Sequence, residues 1–161
     1  MKLVLDTNVV LDWLVFEVPA LEPLREGMRD GTVAVATNAR AVEELRRVLV
    51  YPQFKLEADA PEAVLRHYLS QTSQASIPEQ DALKADALPE KFPRCHDPDD
   101  DKFLALAYHA RADLLVSKDK AVLKLRRRAP AFGFRIVNVP EMIAELSARA
   151  HTTAVPQAPA P

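Results

Sequence analysis

The sequence predicts an α/β protein built around a mostly parallel β-sheet. Short apolar runs typical of buried strands alternate along the chain with longer segments whose apolar residues recur at helical spacing. The chain has 161 residues, of which 48% are hydrophobic and 27% are charged, as is typical of one globular domain. We therefore expect one folded domain over residues 1–150 and a disordered, Pro- and Ala-rich tail over residues 151–161.

Strands and helices are predicted in alternation from the N-terminus. The predicted strands span residues 3–5, 33–36, 114–116 and 135–137. The predicted helices span residues 9–15, 21–30, 39–50, 61–71, 98–111, 120–128 and 140–150. Asn38 is a typical N-cap for the third helix, and Pro61 and Pro98 suit the first turns of the helices that they begin. Residues 72–93 are polar and interrupted by proline, and no pattern assigns them to an element.

Composition and charge exclude several kinds of function. A net charge of −2 argues against a chain that binds nucleic acid through overall positive charge. Because Cys95 is the one cysteine, neither an intrachain disulfide nor a cysteine-rich zinc site can form. The sequence has no signal-peptide pattern, no apolar run long enough to span a membrane and no glycine-rich phosphate loop. We expect a cytoplasmic protein without membrane contact.

Two carboxylates follow predicted strands. Asp6 comes directly after the first strand, and Asp119 comes shortly after the strand at residues 114–116. The carboxyl ends of parallel strands meet at one edge of a sheet, where α/β proteins bind their ligands. We therefore expect Asp6 and Asp119 to project at the same edge.

A third carboxylate, Glu44, lies at the border of a helical apolar stripe. That stripe consists of Val42, Leu45, Val48 and Leu49. At about 100° per residue, Glu44 lies roughly 100° from the centre of the stripe and Glu43 roughly 160° from it. Glu44 can therefore turn into a cleft, whereas Glu43 faces water. The alternative is an ordinary surface ion pair between Glu44 and Arg40, one turn earlier.

An acidic run begins the helix after Pro98. Asp97 is a candidate N-cap, Asp99 and Asp100 lie near the edge of the buried stripe, and Asp101 faces the opposite way. The alternative is an acidic first turn that only stabilises the helix dipole.

Together, these acids favour a metal site. Two carboxylates about 4 Å apart repel each other by roughly 4 kcal/mol at an effective dielectric of 20, so a cluster of them is tolerated only if it is protonated, pushed apart or bridged by a cation. Oxygen ligands select Mg²⁺ or Mn²⁺, which can activate water for phosphodiester hydrolysis.

At these residues the sequence resembles the PIN-domain ribonucleases. The matching segments are LVLDTNVVL, NARAVEELRRVL, DPDDDKFLALA and LLVSKDKAVLKL, which begin at Leu3, Asn38, Asp97 and Leu114. They come in the order and at the spacing of that family and span about 140 residues. The chain is most similar to the branch with an Asp-Pro-Asp-Asp helix start, which contains VapC-like toxins of toxin–antitoxin systems.

The resemblance implies a three-layer α/β/α fold and a ribonuclease that depends on Mg²⁺ or Mn²⁺. It implies that the catalytic and metal-binding acids are Asp6, Glu44, Asp100 and Asp119. The residues that it implies as their supports are Asn8, Asp97 and Ser117. Ser117 stands where the family usually has Thr, and Lys118 stands where this branch often has Gly.

The same resemblance implies RNA as substrate, a possible antitoxin protein as partner, and a homodimer. Basic residues that could contact RNA phosphates are Arg40, Lys118 and Lys120. One alternative is a PIN-like scaffold that binds RNA or protein with little catalysis, although all four acids are present. A phosphotransfer enzyme of the haloacid dehalogenase type is disfavoured, because its second Asp is replaced here by Asn8.

Overall fold

One parallel β-sheet forms the centre of the fold. The computed structural model of the chain describes residues 1–74, 88–96 and 98–153. Within these residues the strands are β1 (Lys2–Leu5), β2 (Ala34–Thr37), β3 (Ser73–Gln74), β4 (Leu114–Val116) and β5 (Arg135–Val137). They pair in the order β3-β2-β1-β4-β5, and every pairing is parallel. The predicted α/β fold with a mostly parallel sheet is confirmed.

Seven α-helices occur in the described residues. They are α1 (Thr7–Leu14), α2 (Glu22–Arg29), α3 (Ala39–Leu49), α4 (Ala60–Gln71), α5 (Asp101–His109), α6 (Lys120–Leu123) and α7 (Val139–Thr153). Asn38 caps α3 as predicted, because its side-chain oxygen accepts a hydrogen bond from the Ala41 amide at 3.0 Å. None of the helices in the described part of the chain is both long and apolar enough to cross a membrane.

Helices cover both faces of the sheet. Leu3 and Leu5 of β1 pack on one side, and Val4 between them packs on the other. The first side is covered by α1, α2, α4, α7 and most of α3, whereas α5 and α6 cover the second. Burial on both faces explains why the central strands carry continuous apolar runs, Leu3–Leu5 in β1 and Leu114–Val116 in β4, rather than alternating ones. The predicted three-layer α/β/α arrangement is thus confirmed.

The structure adds one strand that was not predicted and changes two of the predicted helices. The short strand β3 was not predicted, because it has two polar residues and pairs with Ala36 and Thr37 at the edge of the sheet. The helix predicted over residues 98–111 begins with a 3₁₀ turn at Pro98–Asp100 and becomes α-helical at Asp101. The helix predicted over residues 120–128 is wrong as a continuous helix, since α6 ends at Leu123 and a 3₁₀ turn follows it.

The C-terminal end of the predicted domain falls inside a helix. The last helix, α7, continues to Thr153, three residues past the predicted boundary at residue 150. The rest of the predicted tail, residues 154–161, lies outside the described residues, as does Asp97. The disordered tail stays a prediction.

The helix α3 is held to the core through Leu45. We expect Leu45→Ala to lower the free energy of unfolding by about 3 kcal/mol, because it removes a fully buried side chain and leaves a cavity. Glu43→Ala, on the exposed side of the same helix, is the matched control and should change stability by less than about 0.5 kcal/mol. Urea unfolding measures both, and equal losses in the two variants would contradict the assigned face of α3.

Candidate metal centre

Asp6 is the buried acid at the carboxyl end of β1. Its side chain is 3% exposed. The Ser117 hydroxyl donates to Asp6 Oδ2 at 2.6 Å, and the backbone amide of Asn8 donates to Asp6 Oδ1 at 3.4 Å. The Asp6 amide in turn donates to the Val116 carbonyl of β4 at 3.0 Å, so the β1–β4 pairing continues into this residue. The backbone therefore fixes where this carboxylate lies.

The surroundings of Asp6 disfavour its charged form. Burial raises the pKa of Asp6 above its ordinary value, and the negative charges of Glu44 and Asp119 raise this pKa further. The hydrogen bonds from Ser117 and Asn8 lower the pKa but do not cancel the rise. Asp6, Glu44 and Asp119 thus lie within electrostatic reach of one another, as a cluster that a bound cation would stabilise.

Glu44 projects from α3 toward the end of β1. The Thr7 hydroxyl donates to Glu44 Oε1 at 2.9 Å. Glu44 Oε2 forms an ion pair with Lys102 of α5, and the two side chains are 16% and 14% exposed. Glu43, by contrast, has a side chain that is 77% exposed. The periodicity of α3 therefore predicted correctly which of the two glutamates turns inward.

Lys102 is one of the residues of this region that sequence reasoning missed. It follows the acidic run and immediately precedes the buried Phe103, so it lies at the border of the helix's apolar stripe. The same rotational argument that selected Glu44 on α3 could have found Lys102 on α5.

Asp119 is the N-cap of α6, and its side chain binds the backbone amides of the first turn. Its Oδ1 accepts hydrogen bonds from the amides of Ala121 at 2.5 Å and Val122 at 3.4 Å. The Asp119 amide donates to the Ser117 hydroxyl oxygen at 2.9 Å. Because the same hydroxyl donates to Asp6, buried Ser117 links the two acids that follow β1 and β4.

The structure places Asp100 and Asp101 against Cys95. The Cys95 thiol lies 3.6 Å from Asp100 Oδ2, and the Cys95 amide donates to Asp101 Oδ1 at 2.7 Å. Arg94 forms an ion pair with Asp101 at 3.4 Å. Asp101 was expected to face away from the buried side of α5, and this expectation is wrong. The segment with Arg94 and Cys95 folds back over Asp101, the first residue of α5, and binds its carboxylate. Among the four predicted acids, Asp6 interacts electrostatically with Glu44 and Asp119, and Asp100 lies against Cys95.

The predicted polar and basic residues take different positions. The exposed Asn8 contacts Asp6 through its backbone amide rather than its side chain. Lys118 forms an ion pair with Asp12 of α1 at 2.6 Å, whereas Lys120 is exposed at the first position of α6. Arg40 lines a cavity of about 700 Å³ between α3 and the start of α5, and Glu44 and Lys102 line the same cavity.

The donor chemistry of the site fits a divalent cation. Asp6, Glu44 and Asp119 supply carboxylate oxygens, which are the ligands that Mg²⁺ and Mn²⁺ prefer. Across residues 1–74, 88–96 and 98–153, however, no three potential ligands converge into a ready-made metal-binding group. Hydroxyls, amides and an ammonium group hold the carboxylate oxygens instead.

A parallel α/β sheet with clustered acids at its carboxyl edge defines a protein whose ligand site lies at that edge. Comparison with models of known protein families identifies the family of this chain. The family model described as PIN domain matches residues 2–121, and the chain belongs to that family. Searches of curated proteins and of solved structures found no match.

The matched residues extend from β1 to the start of α6 and include Asp6, Glu44, Asp100 and Asp119. PIN domains are typically nucleases, and these nucleases generally use divalent metals. Membership of the family therefore indicates a nuclease and the binding of nucleic acid.

The raised pKa of Asp6 predicts a stabilising substitution. We expect Asp6→Asn to raise the free energy of unfolding at pH 7 in EDTA, because the amide removes the buried charge and keeps one acceptor oxygen for the Ser117 hydroxyl. The folded protein retains the Asp6 proton to higher pH than the unfolded chain, so wild-type stability falls as pH rises from the unfolded value of 3.8 through the raised pKa.

The gain from Asp6→Asn should consequently shrink as the pH is lowered toward the unfolded pKa. Urea unfolding at several pH values measures it. Asp59→Asn, an exposed acid before α4, is the matched control and should give no such trend. A gain that grows at acidic pH would contradict the assigned cause.

Proposed function

We propose that this protein is an endoribonuclease that hydrolyses RNA phosphodiester bonds with Mg²⁺ or Mn²⁺ as cofactor. The observation that carries the proposal is the buried Asp6, which shares the carboxyl edge of a PIN-domain sheet with Glu44 and Asp119. A buried acid with two charged neighbours is a poor structural element, because its charge destabilises the fold. The same acid is useful where a cation has to be bound.

The residues that would hold the metal are Asp6, Glu44 and Asp119, together with Asp100 from the start of α5. A Mg²⁺ or Mn²⁺ ion held there would lower the pKa of the attacking water and stabilise the leaving oxygen.

The chain positions these acids in advance. Ser117 orients Asp6 through its 2.6 Å hydrogen bond, and Thr7 orients Glu44. The amides at the start of α6 hold Asp119 by one oxygen, and its Oδ2 accepts no hydrogen bond from the described residues. This leaves an oxygen of Asp119 for a ligand.

RNA phosphates would be bound by basic residues around the acids. Lys120 follows Asp119 directly and forms no ion pair within the described residues, so its ammonium group is available to a phosphate. Arg40 lines the cavity beside Glu44. Lys118 is less suited to this role than the sequence indicated, because Asp12 neutralises it.

We further propose that the nuclease is the toxin of a toxin–antitoxin pair and acts as a homodimer. The support is the Asp-Pro-Asp-Asp helix start that the chain shares with such toxins. An antitoxin would cover the acidic site, and a basic side chain inserted there would compensate its charge. A PIN-like scaffold that binds without cleaving is the second candidate. It is favoured by the occupied carboxylate oxygens, above all by the ion pair of Glu44 with Lys102.

Cleavage of a mixed single-stranded RNA pool tests the nuclease. We expect cleavage with Mg²⁺ or Mn²⁺, none in EDTA, and a loss of at least about 100-fold in Asp6→Asn, because the removed charge weakens metal binding. Glu43→Gln is the matched control, since this exposed acid lies beside Glu44 and should cleave like wild type.

Two results would decide against the proposal. Cleavage that survives in Asp6→Asn would place the chemistry elsewhere, and metal binding without cleavage would favour the scaffold.

The same pair of proteins tests the toxin role: expression of wild type, but not of Asp6→Asn, should arrest bacterial growth.

The role of Lys120 can be measured separately from catalysis. In the inactive Asp6→Asn background, we expect Lys120→Gln to weaken binding of single-stranded RNA and to reduce the salt slope by about 0.7, the value for one lost phosphate contact. Arg111→Gln is the control, because exposed Arg111 precedes β4 at the opposite edge of the sheet. Equal weakening in both variants would mean that Lys120 contributes only general positive charge.

A further inference from the structure

We propose that Lys102 is a built-in counter-cation of the acidic site, which must release Glu44 before a divalent metal ion can bind through that carboxylate. Lys102 is thus a positioning residue that sets the metal affinity of the site. This inference rests on the proposed metal-dependent function and adds a residue to it.

The first observation is the burial of the pair. Lys102 and Glu44 have side chains that are 14% and 16% exposed, and they join α5 to α3 across the site. Lysine is seldom this buried without a carboxylate partner, because desolvating an ammonium group is costly. The contact is therefore a buried ion pair that belongs to the site, and not a solvent-exposed surface ion pair.

The second observation is the charge that surrounds this pair. Thr7, which follows Asp6 directly, donates to Glu44 Oε1, and the Ser117 hydroxyl links Asp6 to Asp119, so the negative charges of the three acids lie near one another and repel. The positive charge of Lys102 offsets part of this repulsion while no metal ion is bound. A divalent cation at Glu44 would supply the same compensation and would be repelled by an ammonium group that stayed in place.

The third observation is how both oxygens of Glu44 are used. Oε1 accepts from the neutral Thr7 hydroxyl, and Oε2 is paired with Lys102 and accepts no hydrogen bond from the described part of the chain. A metal ligand can keep a hydrogen bond from a hydroxyl on its other oxygen. Oε2 is therefore the oxygen that a metal ion would take, in exchange for the ammonium group.

The fourth observation is that Lys102 has space to move. It lines the cavity of about 700 Å³ between α3 and α5, and so do the carboxylates of Asp99 and Asp101. Arg40, Arg47 and Arg94 line the cavity as well, so the released ammonium group would move into an open space of mixed charge. From this cavity it can also approach a bound phosphate.

Calorimetric titration with Mn²⁺ tests the proposal without any assay of RNA cleavage. We expect Lys102→Met to bind Mn²⁺ about ten-fold more tightly than wild type or better, because the competing charge is gone. Lys102→Arg keeps the charge and should bind as wild type does. In EDTA, Lys102→Met should have a lower melting temperature than wild type, and Mn²⁺ should raise that temperature by more than it does for wild type.

Glu44→Gln completes a double-mutant cycle. In that background Lys102 has no carboxylate to release, so Lys102→Met should leave the Mn²⁺ affinity unchanged. Thr7→Val controls for the loss of the other contact of Glu44 and should not tighten binding.

Each outcome decides the question. Unchanged or weaker Mn²⁺ binding by Lys102→Met, with wild type still binding, would overturn the role of Lys102 and leave the proposed nuclease intact. A purely structural role would lower the melting temperature in EDTA without changing the affinity. If wild type and every variant fail to bind Mn²⁺, the proposed metal-dependent function fails as well.

Discussion

The parallel pairing of β1 with β4 brings the acids of this protein together, and the rest of the site is built around it. Leu5 lies opposite Val116, and the pairing continues through the hydrogen bond from the Asp6 amide to the Val116 carbonyl. The residues that follow both strands therefore leave the sheet at the same level. Ser117 completes the arrangement, because one hydroxyl group accepts from the Asp119 amide and donates to Asp6.

This arrangement carries an electrostatic cost that the fold offsets locally. Asp6 is buried beside two other acids, and its raised pKa reflects the resulting destabilisation of its charged form. The compensating groups come from different elements: a hydroxyl from the end of β4, amides at the starts of α1 and α6, and the ammonium group of Lys102 on α5. A site of this kind is less stable than an apolar one, which is expected where residues are kept for function.

The sequence was sufficient for the part of the site that depends on local pattern. Strand ends placed Asp6 and Asp119, and the helical period placed Glu44 inward and Glu43 outward, because both patterns follow from repeating backbone geometry. Asp101 and β3 were missed for the opposite reason. The position of Asp101 depends on how the Cys95 segment folds back over α5, and β3 depends on the edge of β2, which offers its backbone to any extended neighbour. Neither contact has a periodic signature.

Lys102 shows why a search for functional residues by charge type alone is incomplete. A search for metal ligands considers acids, so a lysine between an acidic run and a buried Phe103 attracts no attention. Yet a cluster of carboxylates has to be compensated at all times, including when no metal ion is bound. The cation that does this must lie where the metal ion would act, must be nearly as buried as the acids, and must be able to leave. Lys102 meets the first two conditions through its ion pair with Glu44 and the third through the cavity that it lines. In the proposed role of Lys102, the affinity of the site for a divalent ion depends on how much more favourably Glu44 interacts with that ion than with the ammonium group of Lys102. It is therefore not a property of the acids alone.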